Sequence, residues 1–318
     1  MKHQILNMAD VDVAKDLFEP LRDIAEVLSL PSSEAALRAH LPKSDGYIAS
    51  LKIPVTRDLF SLAPGLRVIV SPSTGSDHLD LAAMKEMGID YISLKGDEEF
   101  LRSITATAEL TWALLLATVR KLPWSFAAAR EGNWAREEFR GHQLSGKTLG
   151  IVGYGRLGRI TAQYGQAFRM RVIATDNREI APEAGVEMVK FDRLLRESDV
   201  ISIHVHLDDS TRQLFNKQAF TSMKPSAVLL NTSRGAILDE EALLEALIAG
   251  RIAGAGLDVI DGEWRSDLKN HPLIAYSRTH ENLVISPHTG GITYESQRAA
   301  MDQVIRKLRD YLMTRRHS

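Results

Sequence analysis

The 318-residue sequence predicts an α/β protein built from two doubly wound parallel-sheet domains. Three observations carry that prediction. Short apolar runs alternate with amphipathic helical stretches, the pattern of parallel strands covered by helices. The alternation runs in two sets, separated by a polar stretch containing Gly132 and Gly141. The second set opens on an apolar run that leads directly into a Gly-x-Gly-x-x-Gly turn.

In the first set, candidate strands occupy residues 4–8, 23–28, 47–50, 67–71 and 90–93. A helical pattern over 33–40 opens on Ser33, whose hydroxyl suits a helix N-cap. A long helix is expected from about residue 100 to 121, closed by Pro123, which lacks the amide needed to continue it. In the second set, strands are expected at 148–152, 171–175, 200–204, 227–231, 253–258 and 283–286. Asp239-Glu240-Glu241 caps and charges the start of a helix over 242–249, which Gly250 ends. The last helix, roughly 294–313, is assigned to the first domain. The reading is therefore a discontinuous domain of residues 1–99 and 292–318 around a second domain of residues 100–291.

Composition narrows the function classes. Hydrophobic residues make up 44% and charged residues 25%, the balance of a globular protein with an ample core. The sequence has no cysteine, which excludes disulfides, thiolate catalysis and cysteine-ligated zinc, and fits a reducing compartment. A net charge of −2 with no basic run argues against nucleic acid as a partner. No apolar run near the N-terminus has the form of a signal peptide. The most apolar helical stretch, Ala106–Val119, contains Glu109 and is shorter than the roughly 20 residues of a membrane span, so the expectation is a cytoplasmic protein with no membrane partner.

The run Leu149-Gly150-Ile151-Val152-Gly153-Tyr154-Gly155-Arg156-Leu157-Gly158 reads as strand, turn and helix start, the Rossmann dinucleotide signature. Gly153 permits the tight turn, Gly155 lets a pyrophosphate approach the backbone, and Gly158 lets helix and strand pack closely. The helix N-terminus offers amides and a positive dipole end to the phosphates. Asp176 follows Gly158 by 18 residues at the end of the next strand, where a carboxylate binds the ribose hydroxyls of NAD and repels the 2′-phosphate of NADP. Arg178, two residues on, keeps NADP open as the alternative cofactor.

Three segments that follow strands of the second set carry groups suited to reducing a 2-keto acid. Arg234, in Asn231-Thr232-Ser233-Arg234-Gly235, has the planar fork that matches a carboxylate or keto acid; taken alone, it also suits pairing with a surface acid. Glu263 lies five residues after Asp258. His288 lies in Ser286-Pro287-His288-Thr289-Gly290-Gly291, where the glycines allow close approach of a cofactor. A carboxylate beside an imidazole favours its protonated form, the form that donates a proton to a keto oxygen. A histidine after a strand is also commonly a structural, hydrogen-bonded residue. Residue chemistry alone leaves both readings open.

In their order and spacing these motifs resemble the D-isomer-specific 2-hydroxyacid dehydrogenases, over about residues 66–310. The resemblance rests on Gln143-Leu144-Ser145-Gly146-Lys147-Thr148 running into the glycine turn, on Asn231 to Gly235 with Ala236-Ile237-Leu238-Asp239, on Gly256-Leu257-Asp258-Val259, and on the His288 segment. It implies a Rossmann NAD-binding domain and a flavodoxin-like substrate domain. It also implies hydride transfer between NAD(H) and C2 of a D-2-hydroxy or 2-keto acid, with Arg234, Glu263 and His288 as the catalytic trio. Cofactor contacts are implied at Gly153, Tyr154, Gly155, Arg156, Leu157, Gly158, Asp176, His204, Thr232, Asp258 and Gly290. Ser73-Thr74-Gly75-Ser76-Asp77-His78 is similar to the substrate loop, so that the amides of Thr74 and Gly75 receive the substrate carboxylate; the same stretch also suits capping a helix near Asp80. Lys52 falls in a region that meets substrate in relatives, although a solvated lysine is the more ordinary account of it. No metal site is implied, and a homodimer formed through the nucleotide domain and residues 124–139 is expected.

Four departures bear on the substrate. Trp264 stands where the family often has proline after the glutamate, and His206 stands where proline is usual. Ser73 replaces the first glycine of the substrate loop. Lys95-Gly96-Asp97-Glu98-Glu99-Phe100 replaces a short Asn-x-Pro link. Formate and phosphite dehydrogenases share the fold, but formate dehydrogenases lack the glutamate partner, so Glu263 argues against that branch. The functional alternative of a different class is an NAD-sensing binding protein on this fold with little turnover.

Overall fold

The computed structural model describes residues 2–9 and 16–314. The chain divides into two compact units, Met1–Ser103 with Ile292–Ser318, and Ile104–Gly291.

In the first unit, β1 (His3–Asn7), β2 (Ala25–Ser29), β3 (Gly46–Ile48), β4 (Val68–Val70) and β5 (Asp90–Ile92) form a parallel sheet in the order β2-β1-β3-β4-β5. β3 and β4 are buried along their whole length, which is why they read as unbroken apolar runs rather than alternating ones. The helix Glu34–His40 starts where Ser33 accepts the Ala36 amide at 3.2 Å. Asp80 likewise caps Leu81–Glu86 by accepting from Ala83 at 2.9 Å. The helix Tyr294–Thr314 buries Met301, Val304, Ile305, Leu308 and Leu312, a stripe at helical spacing, in one cluster with Ile5, Ile48, Val68 and Val70. Burying each of these large apolar side chains contributes about 1.5–3 kcal/mol. This stripe makes the C-terminal helix part of the first unit's core.

The second unit contains β6 (Thr148–Val152), β7 (Arg171–Thr175), β8 (Val186–Met188), β9 (Val200–Ile203), β10 (Val228–Asn231), β11 (Gly254–Leu257) and β12 (Leu283–Ile285). All pairings are parallel and the order is β12-β11-β10-β9-β6-β7-β8. The order reverses at β6, where the glycine turn emerges; such a switch point is where open α/β sheets bind ligands.

β8 was not among the expected strands, and two helical features also differ from the sequence reading. The expected helix over 100–121 is two helices, Glu98–Leu101 and Ala106–Val119. The apolar run 98–119 has the length and composition to cross a membrane, but it is broken at this point. Eight of the 14 residues of Ala106–Val119 are buried, among them Leu114 and Leu115 in the cluster that holds Leu149 and Leu230 of the sheet. Pro123 does not close that helix. Arg120 ends it, Lys121 turns through a left-handed conformation (φ 52°), and Pro123 sits in the first turn of a new helix, Leu122–Arg130, where a missing amide costs nothing.

Candidate active site

β10, β11 and β12 are neighbours, and Asn231, Leu257 and Ile285 stand in one row across their carboxyl ends. The three segments carrying Arg234, Asp258 with Glu263, and His288 therefore leave the sheet level with one another. Parallel pairing alone brings together residues that are far apart in sequence.

The His288 segment is organised by Asp258, whose side chain is almost fully buried. Its Oδ1 accepts from the Ser286 hydroxyl at 2.6 Å and the Thr289 amide at 2.8 Å, and its Oδ2 accepts from the Gly290 amide at 2.8 Å. The Asp258 carbonyl accepts the His288 amide at 2.8 Å. Held this way, His288 adopts φ 54°, a left-handed conformation uncommon for a residue with a side chain. Such strain persists only where surrounding bonds over-determine it. The imidazole Nδ1 lies 2.5 Å from Glu263 Oε1, and both side chains are about four-fifths buried, at 21% and 17% exposure. The carboxylate accepts from Nδ1–H, which leaves Nε2 as the ring nitrogen able to exchange a proton with a ligand. Trp264 stacks on the same imidazole, with centroids 5.8 Å apart and planes 23° apart.

Arg234 is placed by Asn231, a residue that sequence reading gave no role of its own. The wholly buried Asn231 donates from Nδ2 to the Arg234 carbonyl at 2.8 Å and accepts the Ser233 amide on Oδ1 at 3.0 Å. Its own carbonyl accepts the Asp258 amide, which ties the first segment to the second. The sequence signal was an asparagine at a strand end, where its side chain mimics a turn. Gly235 lies directly on the Ile260–Asp261 peptide: a Cβ there would fall 2.1 Å from both Ile260 C and Asp261 N. Thr232 is buried, with its hydroxyl 2.9 Å from that of Thr111.

The glycine turn fits a dinucleotide. Gly153 has φ 95°, and Gly158 lies so close to the turn that a Cβ would sit 2.1 Å from the Gly153 carbonyl oxygen. At Gly155 an added Cβ would meet only Arg178 Nη2, at 3.6 Å, so the backbone there is open to close approach. Gly155 is also the N-cap of the helix Arg156–Ala167 and provides no side-chain acceptor for the first-turn amides, which suits a phosphate. Arg156 and Leu157 form the helix start, whereas the Tyr154 side chain is fully buried under the Arg159 guanidinium, so Tyr154 offers a ligand only its backbone. His204 Nε2 bonds the Ser202 hydroxyl at 2.8 Å, while its buried Nδ1 has no partner among the described residues. Burial, with the nearby Arg156 charge adding to it, pushes the His204 pKa down to about 3. A neutral ring with an unpaired buried nitrogen beside the turn is an acceptor or donor available to a cofactor.

Asp176 directly follows β7 and has a side chain only 4% exposed. It accepts the Tyr154 amide at 2.9 Å and the Arg178 amide at 3.0 Å, and Arg178 clamps it through Nε at 2.9 Å and Nη2 at 3.2 Å. Burial opposes ionisation of Asp176, but the Arg178 and backbone bonds outweigh it and hold the carboxyl below its usual range. Arg178 is thus committed to Asp176 rather than extended toward a 2′-phosphate. Asp176→Ala removes the anion and releases the guanidinium together. The preference for NADH over NADPH, measured as the ratio of kcat/KM values, is expected to fall at least tenfold, and an unchanged ratio contradicts the ribose contact.

In the first unit, residues 71–76 turn tightly: Ser71 and Ser73 hydroxyls are 2.9 Å apart, and the Ser73 hydroxyl donates to the Gly75 carbonyl at 2.9 Å. Among the described residues, no hydrogen bond is made by the amides of Thr74 and Gly75. The Lys52 amide donates to the Ser50 hydroxyl at 3.1 Å and its side chain is exposed.

Comparison with known proteins decides the family. Residues 112–290 match the D-isomer specific 2-hydroxyacid dehydrogenase NAD binding domain. The chain belongs to the D-isomer-specific 2-hydroxyacid dehydrogenase family. Hydroxypyruvate reductase of Thermotoga maritima is 34% identical over 283 residues, covering 89% of this chain and 90% of that protein. Glyoxylate reductase of Thermococcus litoralis is 37% identical over 274 residues, covering 83% and 79%. Among solved structures, D-lactate dehydrogenase of Aquifex aeolicus complexed with NAD and lactic acid superposes with TM-score 0.86 at 27% identity, covering 98% of this chain and 96% of that one. The protein is an NAD-dependent D-2-hydroxyacid dehydrogenase, an oxidoreductase with a Rossmann-type NAD-binding domain. These relatives carry the names of enzymes, so the alternative of a binding protein with little turnover is not favoured.

Proposed function

We propose that this dehydrogenase reduces short, unbranched 2-keto acids of the glyoxylate and hydroxypyruvate class to D-2-hydroxy acids, with His288 as the proton donor. The observation that carries the mechanism is the 2.5 Å contact between Glu263 and the His288 imidazole at the ends of adjacent strands. Glu263 compensates the positive charge of the imidazolium. Nε2–H protonates the keto oxygen as C2 is reduced, and in the reverse direction the neutral ring takes the hydroxyl proton. Arg234 holds and polarises the substrate through its planar fork. The Thr74 and Gly75 amides receive the carboxylate, and Lys52 adds positive charge. Bound NADH supplies the hydride. Gly153, Gly155, Arg156, Leu157 and Gly158 cradle its pyrophosphate, Asp176 its ribose, and His204, Thr232, Asp258 and Gly290 the remainder, while Tyr154 contributes backbone only.

The names of the relatives support the substrate class, and the stacking of Trp264 on His288 supports short side chains because a bulky indole flanks the proton donor. The test is NADH oxidation with glyoxylate, hydroxypyruvate, pyruvate and phenylpyruvate. The first two are expected to give kcat/KM at least tenfold above phenylpyruvate, and Trp264→Ala is expected to narrow that gap. A preference for phenylpyruvate overturns the substrate class, and no turnover with any of the four overturns the enzymatic reading. The reading includes a cytoplasmic homodimer. Phe126 and Trp134, 59% and 82% exposed in the segment after Pro123, are the apolar side chains offered to a second copy, and a monomer by light scattering contradicts it.

A further inference from the structure

A buried acid and a buried histidine lie outside the mechanism just described. Glu240, the first residue of the helix Glu240–Ile248, follows Arg234 by six residues. It is not the helix cap, since Asp239 already accepts the Ala242 amide at 3.1 Å. Instead Glu240 Oε1 accepts the Asp261 amide at 2.8 Å, and Oε2 lies 3.1 Å from His271 Nε2. The side chains are 16% and 5% exposed. His271 Nδ1 accepts the Leu273 amide at 3.3 Å, which requires a lone pair there and places the ring proton on Nε2. Glu240 Oε1 thus holds the backbone two residues before Glu263, and Oε2 lies against the His271 ring.

We propose that Glu240 is a positioning residue: packed against His271, its carboxylate grips the Asp261 amide and sets the turn that carries Glu263 against His288. The proposal rests on the acid–base reading of Glu263 and His288. The turn needs such a grip. Gly262 has φ 70° and Glu263 follows it at once, so rotation about the Asp261–Gly262 backbone swings the Glu263 carboxylate directly. Gly235 packs directly on the Ile260–Asp261 peptide, whose amide Glu240 accepts. Glu240 thus joins the Arg234 segment, the Glu263 turn and the His271 segment.

The electrostatic surroundings fit a group retained for its place. Burial pushes the Glu240 carboxyl up to about 7, the Asp261 amide opposes this, and the charges of Asp261 and Glu263 add to it. Burial lowers the His271 pKa, against a hydrogen bond with the Asp261 backbone, with Arg265, Asp261 and Asp267 as the facing charges. A buried carboxylate costs stability unless its bonds offset desolvation, and cost of this kind concentrates at functional sites.

The test compares Glu240→Gln, which keeps an oxygen for the Asp261 amide, with Glu240→Met, a near-isostere without one. For the whole enzyme reducing its best 2-keto acid, Glu240→Met is expected to lower kcat by about 100-fold, the cost of roughly 1 Å of misplacement. NADH affinity stays within twofold. KM for the 2-keto acid stays within about threefold, so the loss falls on kcat. Glu240→Gln, whose oxygen still takes the Asp261 amide although its NH2 faces the His271 ring N–H, is expected to keep at least about tenfold more kcat than Glu240→Met. If Glu240→Met is not obtained folded, Glu240→Asp replaces it: it keeps the charge but withdraws the acceptor by one methylene, and the same loss is expected. Equal losses in Gln and Met, or no loss in Met or Asp, overturn the proposal. Neither outcome touches the reading of Glu263 and His288, which fails separately if His288 variants keep full turnover.

Discussion

Replacing His288 by asparagine is expected to lower kcat for keto-acid reduction by about 10²–10⁴-fold, the range for loss of a general acid. Asparagine tolerates the φ of 54° at this position better than other side chains do, so the segment held by Asp258 keeps its shape. The Ser286, Thr289 and Gly290 bonds to Asp258 do not involve the imidazole and remain. NADH affinity, read by nucleotide fluorescence, should stay within about threefold, and the melting temperature should change little. A variant that binds NADH normally and turns over at the wild-type rate removes His288 from its proposed role. A variant that loses both binding and turnover shows instead that the side chain supports the cofactor segment.

Gly235→Ala is expected to damage stability and activity together. The added methyl meets backbone at 2.1 Å, the carbonyl carbon of Ile260 and the amide nitrogen of Asp261, where no flexible side chain can yield. Overpacking of this kind costs about 1–3 kcal/mol, and the displaced peptide carries the Glu263 turn. Arg234 on one side and Glu263 on the other move apart, so kcat/KM is expected to fall by at least about 100-fold. Gly65→Ala is the control, because nothing lies within 4 Å of its added methyl and its φ is ordinary. Differential scanning fluorimetry and steady-state kinetics on the two variants separate the outcomes. A Gly235→Ala enzyme as active and stable as Gly65→Ala would show that the contact between the two segments has no functional weight.

Much of this architecture is written in local chemistry. β6, β9, β10 and β11 are buried along their whole length, so they appear in sequence as continuous apolar runs. Ser33, Asp80 and Asp239 are side-chain caps and mark their helices directly. The strand β8 escaped because it is a three-residue edge strand, Val-Glu-Met, with one partner and no run to betray it. The break between Leu101 and Ala106 escaped because Arg102-Ser103-Ile104-Thr105 holds no glycine or proline to mark it, and Thr105 starts the second helix without a side-chain cap. In the site, Arg234, Glu263 and His288 were legible as residue types after strands. Most of the bonds that orient them were not, because Asp258 and Glu240 act on backbone amides far away in sequence, whereas Asn231 acts on its near neighbours Ser233 and Arg234. Glu240 in particular reads as part of an acidic first turn, and only the fold shows that its carboxylate leaves the helix for Asp261. Arg178 is the converse case, where proximity in sequence suggested a phosphate ligand and the structure pairs it with Asp176.

The central claim is stereospecific reduction of a 2-keto acid by NADH at the site of Arg234, Glu263 and His288. Its most direct measurement is the configuration of the glycerate formed from hydroxypyruvate and NADH, resolved by chiral chromatography. D-glycerate in amounts equal to the NADH consumed is the predicted result. L-glycerate, a racemate, or NADH consumption without glycerate would contradict it.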